Sequence, residues 1–283
     1  MLVDYRPLCE TFQVKRLLLT KYEAIGNDFL IVFDAACSLA ITPDLVAQLC
    51  DRHRGIGADG VIQLRPTSSG LAMVLQNADG SPAEVSGNGL RCAALAAFDA
   101  GVATGRSVVI TTVVGPRRAE LRSRNGAYGE LIVEMGHVRV QRTDSPIDGK
   151  EGFRADVGNP HLVLLGERSD DVDLAMIGPT LEAAWPGGQN IEVISLAGTD
   201  ELDLVVFERG AGMTEACGTG SCAAAAAARL AGVVGDVVAV HNPGGSLVVE
   251  LGPAADDASA VRLLGPARRV AEVNVTLEDY RQP

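Results

Sequence analysis

The sequence predicts an α/β protein of two similar halves, each wrapping several β-strands around one alanine-rich helix. Three observations predict it. Short runs rich in Val, Ile and Leu recur along the chain, separated by Gly, Pro, Asn and Asp. Two stretches, EVSGNGLRCAALAAF from Glu84 to Phe98 and EACGTGSCAAAAAA from Glu215 to Ala228, share one plan: a serine or a thiol, then Gly-x-Gly, then an alanine-rich helical pattern. The order of strands, alanine-rich helix and further strands occurs twice.

Taken in order, the strand-like runs are RLLLTKYEA, DFLIVFDAA, GVIQLRP, LAMVLQN, SVVITTVVG, GELIVEMG, HLVLLGE, IEVISLA, LDLVVFERG, VVAVHNP, GSLVVELG and VAEVNVTL. Helical patterns cover Pro43 to Arg52, Gly89 to Ala100, and Gly220 to Ala231. The last two are apolar on all sides, which marks a buried helix, and alanine lets strands approach closely. The seam between halves falls near Gly129 to Gly136, midway between the two Gly-x-Gly devices. Residues 1–16 are mixed and charged and read as an N-terminal extension, not a signal peptide.

The 283 residues are 47% hydrophobic, enough for a substantial core, and include 32 glycines for tight turns and close packing. The net charge of −12 argues against nucleic acid and anionic lipid as partners. No apolar run reaches membrane-spanning length. The cysteines (Cys9, Cys37, Cys50, Cys92, Cys217 and Cys222) form no CxxC pair, so a reducing cytoplasm is the simplest compartment. Cys37, Cys50 and Cys92 read as small buried apolar side chains. The lysines (Lys15, Lys21 and Lys150) have no Schiff-base context, and no cluster has metal-ligand spacing; neither cofactor nor metal is expected.

The doubled device carries the chemistry. The first amides of a helix have no internal partner and sit at its positive end. Gly87, Gly89, Gly218 and Gly220 let a ligand reach them, so two such ends facing each other would grip a carboxylate. Ser86 and Cys217 would stand at the two ends, with the Cys217 pKa lowered by its helix N-terminus. One proton-handling group on each face of an α-carbon is what stereoinversion requires, with the helix amides stabilising the enediolate.

These stretches resemble the diaminopimelate epimerases. The resemblance runs from about Leu17 and rests on GNDF (Gly26 to Phe29), DRHRGIGADG (Asp51 to Gly60), NADGSPAEVSGNGLRC (Asn77 to Cys92), VGNPH (Val157 to His161), QNIEV (Gln189 to Val193) and ERGAGMTEACGTG (Glu208 to Gly220), all in order. It implies two pseudo-symmetric domains, each a mixed β-barrel-like sheet around a central helix, with the site between them. The domains would be 17–130 and 131–264, with 265–283 returning to the first. It also implies a homodimer and a pyridoxal-phosphate-independent epimerisation of LL- to meso-diaminopimelate.

By the same resemblance, Cys217 is one catalytic residue and Ser86 takes the place of the other. Backbone at Gly87, Asn88, Gly218 and Thr219 would hold the reacting carboxylate. Arg209 would pair with the distal carboxylate, helped by Asn77, Asn159 and Asn190. Glu208 would receive the distal ammonium, and Asn27 would contact the ligand near the entry strand. His161 would tune the site near Glu208, or serve as an ordinary structural histidine.

Serine at position 86 departs from the family's usual cysteine, and Met213 stands where a glutamate is frequent. Serine donates a proton readily but is a poor base without assistance. Three accounts stay open: a variant that still epimerises, an enzyme of altered substrate or unequal direction, and a chain disabled at one catalytic position. Two rival functions stay open beside them: a cofactor-independent racemase of another amino acid, and an amino-acid-binding protein without turnover.

Overall fold

The strand-like runs close on themselves in space. The computed structural model describes residues 16–36, 39–68, 70–83, 86–255 and 258–277. Along the chain lie β1 (Arg16–Ala24), β2 (Asn27–Phe33), α1 (Pro43–Cys50), β3 (Gly60–Thr67), β4 (Gly70–Asn77), α2 (Gly87–Asp99), β5 (Ser107–Thr112), β6 (Gly115–Asn125) and β7 (Tyr128–Thr143). Then come β8 (Glu151–Asp156), β9 (Pro160–Leu165), α3 (Leu174–Ala183), β10 (Asn190–Gly198), β11 (Glu201–Glu208), β12 (Gly212–Thr214), α4 (Gly218–Ala231), β13 (Val237–Asn242), β14 (Gly245–Ala255) and β15 (Ala258–Thr276). All but the last residue of the proposed N-terminal extension lie outside the described residues, as do Cys9 and Cys37.

The strands form one sheet that closes into two rings. In the first, β1 to β7 pair in sequence and β15 bonds both β7 and β1. In the second, β7, β8, β9, β10, β11, β13, β14 and β15 pair around a circle. The long strands β7 and β15 belong to both rings. β15 leaves β14 after Leu264 and reaches β1 at Arg268, so it passes from one ring to the other through Gly265–Ala267. Parallel pairs (β2–β3, β4–β5, β9–β10, β11–β13) mix with antiparallel ones in both rings.

Each ring is filled by one helix. α2 is buried from Gly87 to Ala97 and α4 from Gly218 to Ala228. Alanine fits this position because ring walls on all sides leave no room for longer side chains. The largest exception is Arg91 on α2, which is fully buried. It is satisfied by the Pro266 carbonyl at 3.1 Å, the Gly87 carbonyl at 3.3 Å and Asn88 Oδ1 at 2.7 Å. Burial lowers its pKa to about 10, and its bonds tie the start of α2 to β15.

Several elements exceed the sequence reading. α3 was hidden by Gly178 and Pro179 inside it. β6 (GPRRAELRSRN) and β8 (EGFRAD) carry too few apolar residues to stand out. β15 begins well before VAEVNVTL because Gly265 and Pro266, which look like a turn, lie within it. The seam near Gly129 to Gly136 falls inside the unbroken strand β7.

Candidate active site

The two Gly-x-Gly devices meet at the starts of α2 and α4. Ser86 caps α2 and Cys217 caps α4 with nearly the same extended backbone, φ −134° and −127°. Ser86 Oγ accepts from the Gly89 N–H at 2.9 Å, and Cys217 Sγ accepts from the Gly220 N–H at 3.3 Å. The amides of Gly87, Asn88, Gly218 and Thr219 have no acceptor among the described residues. They form two adjacent first-turn donor pairs at the positive ends of two helices.

The helix ends touch. A Cβ placed on Gly218 would lie 3.0 Å from the Gly87 Cα, and one on Gly87 would lie 2.8 Å from Leu263 Cδ2 and 3.2 Å from the Gly218 Cα. Only glycine permits this approach, so the four free amides converge on one place.

Cys217 is 3% exposed. Its N–H donates to Asn242 Oδ1 at 3.3 Å, which fixes the cap. Burial first, then the Glu208 and Glu192 carboxylates, push its thiol well above the ordinary value. The Thr219 hydroxyl, 3.4 Å from Sγ, and the Gly220 N–H pull the other way. The expected lowering by the helix end is therefore corrected: in this closed site burial wins over two hydrogen bonds. Burial also raises the Glu208 carboxyl, opposed by hydrogen bonds from Thr214 (2.6 Å) and Cys217. Glu208 is thus an electrostatic neighbour of the thiol.

The asparagines divide. Asn27 donates to Asp59 at 2.7 Å and accepts from Asn88 at 3.3 Å, so it stands beside the α2 end. Asn159 donates to Thr219 Oγ1 at 3.4 Å, beside the α4 end. Asn190 accepts from the Arg209 N–H at 2.9 Å and donates to the Pro160 carbonyl at 3.2 Å. Arg209 lies over the Gly187–Gly188 turn, its guanidinium 3.5 Å from the Gly187 carbonyl. Asn77 is exposed and donates to Ser81 Oγ at 3.0 Å within its own turn, a geometry that needs no ligand. His161 is fully buried between Glu192 Oε1 (2.7 Å from Nδ1) and Asn159 Oδ1 (3.0 Å from Nε2).

Sequence reasoning missed Glu192, Thr214, Asn242 and Arg91 as parts of this site. A signal existed for Glu192: an acid inside the apolar run IEVIS is a charge in a buried strand. Asn242, in a Gly/Pro-rich turn, offered none. Met213 is exposed in the short strand β12.

Ser86 opens onto a small cavity of about 60 Å³ with Met73, Leu75, Pro82 and Thr112. A roomier cavity of about 450 Å³ lies at the second ring, along Ser195, Asp203, His241 and Asn242. Asn242, which lines it, is the residue that accepts the Cys217 N–H. Among the described residues no group of three or more His, Cys, Asp or Glu is placed to hold a metal ion, and no helix is long and apolar enough to cross a membrane.

Known proteins resemble this chain in sequence and in fold. The diaminopimelate epimerase family profile matches residues 19–141 and 153–270. The diaminopimelate epimerase of Pelotomaculum thermopropionicum is 35% identical over 272 residues, covering 89% of this chain and 96% of the relative. Diaminopimelate epimerase 1 of a Nostoc species is 38% identical, covering 89% and 96%. Among solved structures, a phenazine biosynthesis protein of the PhzF family from Bacillus anthracis superposes with a TM-score of 0.73 at 13% identity, covering 92% of this chain and 99% of that one. A hydroxyproline epimerase from Agrobacterium vitis gives 0.71 at 16%, covering 94% of each. At such identities the two structures share the fold alone. The profile and the sequence relatives span both rings and both helix ends: the chain belongs to the diaminopimelate epimerase family.

Proposed function

We propose that this chain is an isomerase that converts LL-diaminopimelate to meso-diaminopimelate by two-base proton transfer at the α-carbon, without pyridoxal phosphate, on the way to lysine and peptidoglycan precursors. The observation that carries the reading is the meeting of two helix ends at Gly87 and Gly218, each capped by a side chain able to handle a proton. The α-carboxylate would lie on the amides of Gly87, Asn88, Gly218 and Thr219. As the α-proton leaves, its electron pair moves onto this carboxylate, and the amides stabilise the growing charge.

Cys217 takes the α-proton from one face as a thiolate, and the Ser86 hydroxyl donates a proton to the other. Glu208, an electrostatic neighbour of the thiol with its own pKa raised, is suited to accept the thiol proton first. Arg209 would hold the distal carboxylate through a guanidinium fork, with Asn190 fixing its backbone and Asn159, Asn77 and Asn27 lining the approach. In this reading the ligand draws Asn77 away from Ser81. Glu208 near the thiol fits the base role better than a contact with the distal ammonium.

The reading keeps the division into 17–130, 131–264 and a returning segment 265–283, supported up to Thr276 by the transfer of β15 between rings after Leu264; residues 278–283 lie outside the described residues. It places the protein in the cytoplasm as a homodimer. Cys50, Cys92, Cys217 and Cys222 are free, which suits a reducing compartment.

Incubation with LL-diaminopimelate in deuterated water tests the function. Meso product carrying α-deuterium is expected. Absence of α-exchange from either isomer, or exchange undiminished in Cys217→Ala, would sink it.

A further inference from the structure

A continuous chain of polar contacts runs from a buried carboxylate to the thiol. Glu192 Oε1 is 2.7 Å from His161 Nδ1, and His161 Nε2 is 3.0 Å from Asn159 Oδ1. Asn159 Nδ2 is 3.4 Å from Thr219 Oγ1, which is 3.4 Å from Cys217 Sγ. Glu192 and His161 are both fully buried side chains. The second carboxylate oxygen of Glu192 has no hydrogen-bond partner among the described residues.

We propose that Glu192 is a positioning residue for Cys217: it holds His161 as an imidazolium and so turns the Asn159 amide and the Thr219 hydroxyl to donate toward the sulfur. The proposal rests on the reading that Cys217 handles the α-proton.

Donor and acceptor roles give the direction. An ionised carboxylate only accepts, so His161 Nδ1–H donates to Glu192. Nε2 faces an amide oxygen, so it too carries a proton. The Asn159 amide then presents its Nδ2–H to Thr219 Oγ1. Thr219 accepts that bond, and its own single proton is left for Cys217 Sγ. With the Gly220 N–H, the sulfur then accepts two hydrogen bonds, the arrangement a thiolate needs. If His161 were neutral at Nε2, the amide would turn over. Thr219 would donate to Asn159, and the sulfur would lose a donor.

The other half of the molecule shows that the fold does not require this chain. In β2–β3, Phe29 pairs with Gly60; in β9–β10, His161 pairs with Asn190. Phe29 therefore takes the place of His161, and Ile62, two residues past Gly60, takes the place of Glu192. The packing agrees. A Cβ on Gly89 would meet Ile62 Cδ1 at 3.4 Å, and one on Gly220 would meet Glu192 Oε1 at 2.7 Å. Asn27 and Asn88 match Asn159 and Thr219, with an Asn88–Asn27 bond of 3.3 Å. Behind Ser86 the ring is built with two apolar side chains; behind Cys217 it is built with an acid and a histidine. A buried ion pair seldom adds stability over apolar residues of like size, so its presence on the thiol side alone points to chemistry.

The test has a sign. The ionisation of Cys217 is followed by thiolate ultraviolet absorbance against pH, with Cys217→Ala as the blank, in the whole protein and in Glu192→Gln. The other charged group acting on the sulfur is Glu208, which stays in both. If Glu192 were merely a nearby negative charge, its removal would lower the thiolate midpoint. If it acts through the imidazolium, both charges vanish together, the sulfur loses its Thr219 donor, and the midpoint rises. We expect about tenfold less thiolate at any pH below the midpoint, the scale of one hydrogen bond to an ionised group. Nitrogen-15 spectra should show His161 protonated on both ring nitrogens in the parent and on one in the variant. For diaminopimelate turnover, kcat should fall with KM little changed.

Thr219→Val, which replaces the hydroxyl with a methyl group of similar size, should reproduce the shift whether or not Glu192→Gln folds. The double variant should add nothing further. A midpoint that falls or stays in Glu192→Gln, a singly protonated His161 in the parent, or an unshifted midpoint in Thr219→Val would overturn the proposal. Such results with exchange still lost in Cys217→Ala would leave the epimerase reading standing. Exchange that survives Cys217→Ala would defeat that reading instead, whatever the midpoints show.

Discussion

Ser86 and Cys217 occupy equal places and unequal surroundings. Both cap a helix through the amide three residues on. Cys217 has the Glu208 carboxyl as an electrostatic neighbour and Thr219 within reach; among the described residues Ser86 has no charged partner, and apolar side chains dominate its cavity. A serine hydroxyl near neutral pH donates well and abstracts poorly. We expect the diaminopimelate isomer that turns its α-proton toward Cys217 to exchange with solvent quickly, and the isomer that turns it toward Ser86 to exchange slowly. The equilibrium between isomers stays unchanged. Ser86→Cys should raise turnover by about 100-fold, roughly 2.7 kcal/mol of barrier. Deuterium uptake followed from each isomer separately, in both proteins, measures this. Equal uptake in the parent chain, with no gain in Ser86→Cys, would mean that serine is a competent base in this site.

At the scale of elements, the two helices work because their first residues can touch. Gly218→Ala would set a methyl 3.0 Å from the Gly87 Cα and 3.1 Å from Leu263 Cδ2. Backbone on one side cannot yield as a flexible side chain would. We expect a loss of about 1–3 kcal/mol in stability, the scale of overpacking in a close-packed core, measured by denaturant midpoint. Turnover should fall further than stability explains, because the free amides would be spread apart. Unchanged values for both would mean that the helix ends have slack. These two helices were the most legible part of the chain, since their glycines and alanines encode burial and close approach directly. The caps and the glycine pair could be placed from the sequence pattern, whereas Asn159 and His161 were expected only through the family resemblance. The parts that stayed dark depend on partners far along the chain. β6 is a strand because β5 and β7 flank it, not because of its own residues. Asn242 matters only because β13 ends beside the start of α4. The direction of the Cys217 shift was misread because a helix end is visible in sequence, whereas the depth of burial is a property of the whole ring.

At the scale of the molecule, β7 and β15 are walls of both rings, so neither ring can close alone. Residues 16–143 lack β15, which bonds both β1 and β7. We expect that fragment to remain unfolded by circular dichroism when made alone, and to gain structure when mixed with residues 151–277. The intact chain should unfold in one cooperative transition. A first fragment that folds by itself would show the rings to be separable. The contact of Gly87 with Gly218 has a consequence for ancestry. If the halves descend from one repeated unit, each has been a constraint on the other ever since, because any side chain gained at one glycine collides with its twin. The residues around the axis could diverge, serine from cysteine and phenylalanine from histidine. The axis itself could not, and the oldest trace of the repeat should be the pair of atoms that never acquired a neighbour.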